Sequence, residues 1–551
     1  MARDFSPIEL RVLWNRLIAI VDEAAATLVR TSFSTLVRES NDFACVLFDA
    51  QGRSLAQNSA AIPSFIGTLP ITMRHFLARF PADSLRPGDV LITNDPWLAT
   101  GHLPDITIAR PIFRNGQLVA FSGSVAHSPD IGGRIRSPDA RQVYEEGLRI
   151  PPMKLYAAGQ RNELLLELLE ANVRVPRQVT GDLLAQVAAN ELLARRLLVL
   201  LDEQGLDDLG ELARVIQERS ARAMRRAIAA LPDGSYEGEA HPDGLDEPLD
   251  IRLRLTIAGE EITVDYAGSS PQVDYAVNTV LNYTFAYTAY PLKCITSPAI
   301  PNNEGSFEPI RVSAPEGSLL NPRFPAPVGG RALIGHFLAA AIFQALAPVA
   351  PAAVQAASGS PLWCLHLTGE ERGRAFSSIN FLNGGQGASL RQDGLSCLSF
   401  PSNVANTPVE VMEALAPLVV ERKALRPDSG GAGRQRGGLG QELQVRITAE
   451  QPVTVAFLAD RLRRPADGLL GGGPGASGQV LLNGAPINPK RQIVVKGGDT
   501  LLLATPGGGG FGEPPERDQQ ALAQDLANGL VAPEAAAGVY GAGRVAPAEP
   551  E

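Results

Sequence analysis

Two of the six histidines in this 551-residue chain flank a single hairpin signal, and an aspartate follows the first of them at the third position. His102 stands in Gly101-His102-Leu103-Pro104-Asp105 and His127 in Ala126-His127-Ser128-Pro129-Asp130. Between them, Arg114-Asn115-Gly116-Gln117 separates two apolar runs, a pattern that predicts a tight turn. With Asn115 and Gly116 as the turn, Asp105 faces position 126 and His127 faces position 104. A slip of one residue sets Asp105 directly opposite His127, and cross-strand neighbours lie ~4.5 to 5.5 Å apart. In either register His102, Asp105 and His127 share one hairpin mouth. Two imidazoles and a carboxylate at a strand end suit one divalent metal, held at ~2.0 to 2.2 Å with open positions for water. Zn, Mn and Fe fit such ligands about equally. A fourth ligand is wanted, and Asp42, at the entrance to an earlier hairpin, is the best candidate, with Glu39, Asp95 and Asp130 as rivals.

Other chemistries find less support. There is no GxSxG elbow for a serine hydrolase and no GxxxxGK[ST] phosphate loop. Thr505-Pro506-Gly507-Gly508-Gly509-Gly510-Phe511-Gly512 has the backbone of an anion nest but no lysine, and reads better as a structural loop. His75, His241, His336 and His366 stand alone and read as structural. The four cysteines, Cys45, Cys294, Cys364 and Cys397, are scattered singly and read as small buried apolar residues.

The elements that must position the candidate site follow from hydrophobic period and punctuation. Ser6-Pro7-Ile8-Glu9 is a capping box with proline at the first helical position, and the apolar spacing after it predicts a helix over 6–31. The period then changes, and residues 43–48 and 53–57 around Asp49-Ala50-Gln51-Gly52 predict a hairpin. Residues 161–231 return to helical stripes, punctuated by Pro176, Gly181, Gly205 and Gly210. After Pro232-Asp233-Gly234 the alternation of Ile251, Leu253, Leu255 and Ile257 predicts strand, and 442–447, 453–457 and 493–503 read as further short strands. Gly-Pro clusters dominate 427–440, 471–478 and 506–514, and a last short helix with a frayed end is expected after residue 532.

The fold expected is a multidomain α+β protein, with antiparallel sheets, a helical segment and a β-rich, loop-rich C-terminal half. The expected divisions are 1–233 with the metal site, 234–440, and 441–551. A composition of 45% hydrophobic and 20% charged residues is that of a globular protein. A net charge of -10 supplies no basic field for phosphate backbones, so nucleic acid is not an expected partner. No apolar run reaches the ~20 residues of a membrane span and the first residues lack a leader pattern, so a cytoplasmic protein with no membrane contact is expected.

Several ordered, distant segments resemble the hydantoinase B/oxoprolinase family, which also includes subunits of acetone and acetophenone carboxylases. They are Arg38-Glu39-Ser40-Asn41-Asp42-Phe43, Asn94-Asp95-Pro96-Trp97 running into Gly101-His102-Leu103-Pro104-Asp105, and Gly147-Leu148-Arg149-Ile150-Pro151-Pro152. Further along come Ile300-Pro301-Asn302-Asn303-Glu304-Gly305-Ser306-Phe307, Asn406-Thr407-Pro408-Val409-Glu410, Gly431-Ala432-Gly433-Arg434-Gln435-Arg436-Gly437-Gly438 and the Thr505–Gly512 loop. The resemblance implies a metal site on Asp42, His102, Asp105 and His127, with Glu146 or Asp95 as a base. It also implies a hydantoinase A-like partner that binds ATP, in a hetero-oligomer, and an activity on a hydantoin, N-methylhydantoin or 5-oxoproline-like lactam. In that scheme the partner phosphorylates the amide oxygen and the activated intermediate is hydrolysed at this chain's metal. An ATP-dependent ketone carboxylase subunit is the alternative, and a non-catalytic scaffold for the ATP-binding partner a second. The family pattern is not complete: Trp97-Leu98-Ala99-Thr100-Gly101-His102 stands where many relatives carry a tyrosine and a Gly-Gly-Thr before the histidine.

Overall fold

The computed structural model describes residues 5–135, 137–359 and 362–541. The architecture is multidomain α+β, with four sheets that are antiparallel apart from one parallel pair. The first sheet runs β2-β1-β5-β4-β3-β6-β7, where β1 is Phe43–Asp49, β2 Ser54–Gln57, β3 Val90–Thr93, β4 Asp105–Arg114, β5 Gln117–His127, β6 Met153–Ala157 and β7 Gln160–Arg161. Both faces of β1 are covered. Phe43, Cys45 and Leu47 join the core under the helices Pro7–Thr31 and Pro176–Gln204, while Ala44, Val46 and Phe48 join the larger core on the opposite face. Such a strand shows a continuous apolar run rather than alternation.

The first helix starts where its capping box lies. The Ser6 side chain accepts from the Glu9 N–H at 3.2 Å and Pro7 occupies the first turn. The helical segment resolves into Glu163–Asn172, Pro176–Gln204 and Gly210–Ile228. Gly205 ends the second of these at φ +59°, a left-handed cap that glycine adopts without strain.

In the β4–β5 hairpin, Asn115 (φ +51°) and Gly116 (φ +80°) take the conformation of a type I′ turn. The ladder then shifts. Phe113 pairs with Leu118 but Ile112 pairs with Ala120, so Val119 is an extra residue, a bulge. From there the register is one residue away from that of an unbroken ladder, and it sets Asp105 directly opposite His127. The bulge is therefore the physical origin of the one-residue slip.

The second sheet, β11-β10-β9-β8, contains β8 Gly234–Ala240, β9 Ile251–Ala258, β10 Glu261–Asp265 and β11 Ile310–Ser313, with β10 and β11 parallel. The alternating Ile251, Leu253, Leu255 and Ile257 are all buried. The third sheet, β13-β12-β16-β19, and the fourth, β14-β15-β20-β17-β18, make up the rest. Their strands are β12 Trp363–Glu371, β13 Arg374–Leu382, β14 Leu418–Leu425, β15 Gln441–Ile447, β16 Val453–Leu458, β17 Gln479–Leu482, β18 Ala485–Pro486, β19 Ile493–Val495 and β20 Thr500–Ala504. The single strand expected over 493–503 is in fact two. Gly497 and Gly498, the latter at φ +92°, break it and send its halves to different sheets. The last helix is Pro533–Val539, and the expected frayed end beyond it lies outside the described residues.

The Gly-Pro clusters are a packed backbone bundle rather than open loops. Gly385 N–H donates to Pro506 O at 3.0 Å, Gly431 to Gly508 at 2.8 Å, Gly438 to Gln386 at 2.8 Å, Gly508 to Gly438 at 2.9 Å and Gly510 to Gly473 at 2.9 Å. A Cβ at Gly385 would fall on the carbonyl oxygen of Gly438, and one at Gly507 on that of Ser429. Only glycine permits this spacing, which accounts for the Thr505–Gly512 run.

Candidate metal centre

The centre forms where three neighbouring strands end together. His127 closes β5, Asp105 opens β4 across from it, and Asp42 immediately precedes β1 on the other side. The His127 N–H donates to Asp42 O at 3.0 Å, which extends the β1–β5 ladder by one step. Asp42, His127 and Asp105 thus form one row across the end of the sheet. His102 comes from the loop before β4. Gly101 makes that approach possible, because it sits at φ +100° and a Cβ there would meet Arg331 Cδ at 2.8 Å.

All four side chains are buried, with exposures of 7% for Asp42, 1% for His102, 0% for Asp105 and 2% for His127. Asp105 Oδ1 lies 2.8 Å from both His102 Nε2 and His127 Nδ1. The donor atoms of His102, Asp105 and His127 all fall within 4.8 Å of one another. Asp42 Oδ2 stands 3.7 Å from His127 Nδ1, at the edge of the group. The second oxygen of Asp105 is taken by Thr100 Oγ1 at 2.7 Å and by Arg331 Nη2 at 2.6 Å.

Burial, with Arg331 nearby and against the pull of Asp105, pushes His102 down to about 3, so its ring is neutral at neutral pH. Its Nδ1 sits 3.2 Å from Gly329 O, which fixes the proton on that nitrogen. His102 Nε2 is then a bare lone pair, buried and aligned for no hydrogen bond, that faces a carboxylate oxygen at 2.8 Å. Burial alone would raise the Asp105 carboxyl, but the Arg331 guanidinium beside it holds it well below the usual carboxylate range. A lone pair against an anionic oxygen calls for a cation between or beside them. A ring oriented through its other nitrogen by a carbonyl is the usual outer support of a metal-ligating histidine. The residues present therefore fit a divalent ion, with His102, Asp105 and His127 as the inner set and Asp42 beside it.

Glu146 follows the short 3-10 turn Val143–Glu145 and approaches the same place. Its Oε1 accepts from Val328 N at 2.8 Å and Gly329 N at 2.7 Å, while Oε2 is buried with no hydrogen-bond partner among the described residues. Burial lifts this carboxyl to about 7, even though the two backbone donors oppose the shift. Glu146 and His127 line one cavity of about 40 Å³ together with Gly329 and His366.

Asp95 is placed differently. Its Oδ1 accepts from Trp97 N at 3.1 Å and Oδ2 lies 3.7 Å from Arg149, so it stabilises the turn before His102. Of the other rivals, Asp130 binds Arg174 at 2.7 Å and lines the cavity, and Glu39 caps the one-turn helix Thr35–Arg38. One contributor was missed by the sequence reading. Arg331 reaches Asp105 across 226 positions of chain, and its guanidinium also lies 4.1 Å over the Tyr283 ring. His366, read as structural, bonds Ser377 across the ladder at 2.9 Å and lines the same cavity. The signal for Arg331 was Val328-Gly329-Gly330-Arg331, a segment that binds Glu146, orients His102 and clamps Asp105 within four residues.

Comparison with known proteins identifies the family. A family model described as hydantoinase B/oxoprolinase matches residues 6–514. The B component of a putative D-/L-hydantoinase from Pseudomonas sp. (strain NS671) is 32% identical, over 98% of this chain and 95% of its own length. The crystal structure of an ATP-dependent caprolactamase from Pseudomonas jessenii superposes with a TM-score of 0.89 at 29% identity, covering 98% of this chain and 96% of that one. A nucleotide-free acetone carboxylase structure shares the fold with a TM-score of 0.88 at 21% identity, covering 97% of this chain and 79% of that one. The chain belongs to the hydantoinase B/oxoprolinase family.

Proposed function

We propose that the chain is the metal-bearing subunit of a cytoplasmic, ATP-dependent cyclic-amide hydrolase that acts on a hydantoin or a small lactam. It works in a hetero-oligomer with a hydantoinase A-like partner that binds ATP and phosphorylates the amide oxygen. The observation that carries this reading is the pair of buried ring nitrogens, His102 Nε2 and His127 Nδ1, at 2.8 Å from one Asp105 oxygen. When bound, a divalent ion supplies Lewis-acid polarisation and activation of water at neutral pH. His102, Asp105, His127 and Asp42 hold it, and Arg331 and Thr100 keep Asp105 in a single orientation.

Glu146 is the base. Its free Oε2 and its elevated proton affinity suit it to work near neutral pH, where a carboxylate can take a proton from water and return it to the departing nitrogen. As the water oxygen bonds to the activated carbon one of its protons passes to Glu146, and as the C–N bond breaks that proton and the remaining hydroxyl proton both end on the departing nitrogen, which leaves a ring-opened acyl phosphate. A second water releases phosphate from the ring-opened acyl phosphate. Phosphorylation is needed because an unstrained amide nitrogen is a poor leaving group.

Elemental analysis of the purified chain beside a His102→Ala/His127→Ala double variant tests the centre, with about one equivalent of metal expected in the first and none in the second. With the partner and ATP, the wild-type chain is expected to open a hydantoin or lactam. Metal absent from both proteins after reconstitution, or bicarbonate-dependent ATP turnover on ketones with none on lactams, refutes the proposal.

A further inference from the structure

Gly147-Leu148-Arg149-Ile150-Pro151-Pro152 is a segment to which the hydrolytic scheme gives no task. One side chain bolts its backbone to the candidate centre. Asn94 Nδ2 donates to Leu103 O at 2.8 Å and to Leu148 O at 2.9 Å, and Asn94 Oδ1 accepts from Ile150 N at 2.6 Å. A single amide nitrogen thus joins the residue after His102 to the residue before Arg149. The Arg149 guanidinium is held by a ring rather than by hydrogen bonds. Its Cζ lies 4.7 Å from the centroid of Phe324, which also meets Trp97 edge-on at 5.2 Å and Tyr144 at 5.6 Å. The three aromatics come from the loop that leads to His102, the turn that leads to Glu146 and the loop that leads to Gly329. Cross-bonds fix them, from Trp97 Nε1 to Pro322 O at 3.1 Å and from Val143 N to Pro325 O at 3.0 Å. The platform lies open, with Phe324 44% and Tyr144 64% exposed.

Arg149 is a cation whose donors are unspent. Its side chain is 38% exposed, its ion pair to Asp95 is a loose 3.7 Å, and no hydrogen bond engages its N–H groups among the described residues. Arg426, by contrast, closes on two carbonyls, Ser477 O at 2.7 Å and Thr505 O at 3.2 Å. A guanidinium steadied on an aromatic face with its planar fork open to solvent suits a phosphoryl group, which the fork grips at two oxygens. We propose that Arg149, carried on the Phe324 ring, binds the phosphoryl group of the activated cyclic amide and so selects the phosphorylated ring over the free one. The inference rests on the cyclic-amide hydrolase reading and deepens it by assigning the group that recognises the intermediate. The free amide is neutral and offers the fork little, whereas phosphorylation adds about two negative charges. Arg149 donates hydrogen bonds to the phosphoryl oxygens, forms no covalent bond and keeps its protons throughout.

The test compares Arg149→Ala and Arg149→Lys with the wild type in the assembled, metal-loaded enzyme with ATP and a lactam. A charge-assisted pair contributes about tenfold or more to affinity. The alanine variant is therefore expected to lose about tenfold or more in ring opening, with about tenfold more ADP formed per ring opened, because the activated amide escapes before water adds to it. The lysine variant, which keeps the charge but not the fork, is expected to recover part of the loss. Metal content and melting temperature are expected to match the wild type, since a part-exposed ion pair at 3.7 Å contributes little stability. An unchanged ratio of ADP to product, or a loss accompanied by lost metal or a lower melting temperature, overturns the proposal. The second arm needs no turnover and is equilibrium dialysis of the same assemblies against radiolabelled inorganic phosphate. The wild type is expected to hold one phosphate about tenfold more tightly than the alanine variant, with the lysine variant between them. Equal binding in all three, or none in the wild type, overturns it. Should the wild-type assembly open no cyclic amide, the hydrolase reading fails while the phosphate arm still decides whether Arg149 is an oxyanion site.

Discussion

Replacing Glu146 by glutamine should stabilise the metal-free protein in alkaline solution while abolishing its hydrolytic turnover. In the folded chain, burial raises this carboxyl from the ordinary 4.5 to about 7. A group whose affinity for the proton is higher in the folded state contributes its stability below the unfolded value, near 4.5, and that contribution is lost as the pH rises through about 7. Each tenfold change in proton affinity is about 1.4 kcal/mol, so the wild-type chain forfeits about 3 kcal/mol above neutrality. Glutamine has no charge to lose. It retains the Oε1 that accepts from Val328 and Gly329, and it is nearly the same size. The assay is thermal unfolding of the chelator-treated proteins from pH 5 to pH 8. The melting temperature of E146Q should exceed that of the wild type by a margin that widens with pH, most of it appearing between pH 5 and 7.5. Parallel curves across this range, or a margin that shrinks as the pH rises, would refute a buried, ionisable Glu146.

Other perturbations follow from the same geometry. Arg331→Met leaves Asp105 buried without its cation and should destabilise the metal-free chain by about 3 to 5 kcal/mol. Part of that loss should return on adding a divalent ion, as judged by melting temperature with and without metal. Asp42→Asn, at the edge of the group, should keep the stoichiometry but weaken metal affinity by about 10-fold or more, as read by competition with a chromophoric chelator. Gly385→Ala should prevent accumulation of soluble protein, since its Cβ meets backbone. Gly484→Ala, in an open turn at φ +80°, should cost about 1 kcal/mol and fold normally.

What could be read from the residues alone was local. The Asn115-Gly116 turn makes His102, Asp105 and His127 neighbours on sequence grounds, because a hairpin of that length leaves little freedom in which side chains meet. The register was ambiguous by one residue, since nothing in Leu118-Val119-Ala120 announces which residue will bulge. The family resemblance pointed to Asp42, and the ladder accounts for it, as it continues the row of His127 by one strand. Arg331 was opaque for a different reason. Its contact with Asp105 depends on how the middle of the chain folds back on the first sheet, and no local period encodes that contact. The 493–503 strand failed similarly, because the apolar run conceals a change of sheet at Gly497 and Gly498.

The glycine bundle inverts a common inference about mobility. Glycine-rich, proline-punctuated chain without regular secondary structure contributes a coil signal to circular dichroism and invites description as a tether. Here the amides of Gly431, Gly438, Gly508 and Gly510 are held by carbonyls from distant segments, so none can open without separating strands contributed by several stretches of chain at once. Their hydrogens should therefore exchange with solvent as slowly as those of the sheets, and a protease should find no cleavage site in the stretch of sequence that looks most like a linker.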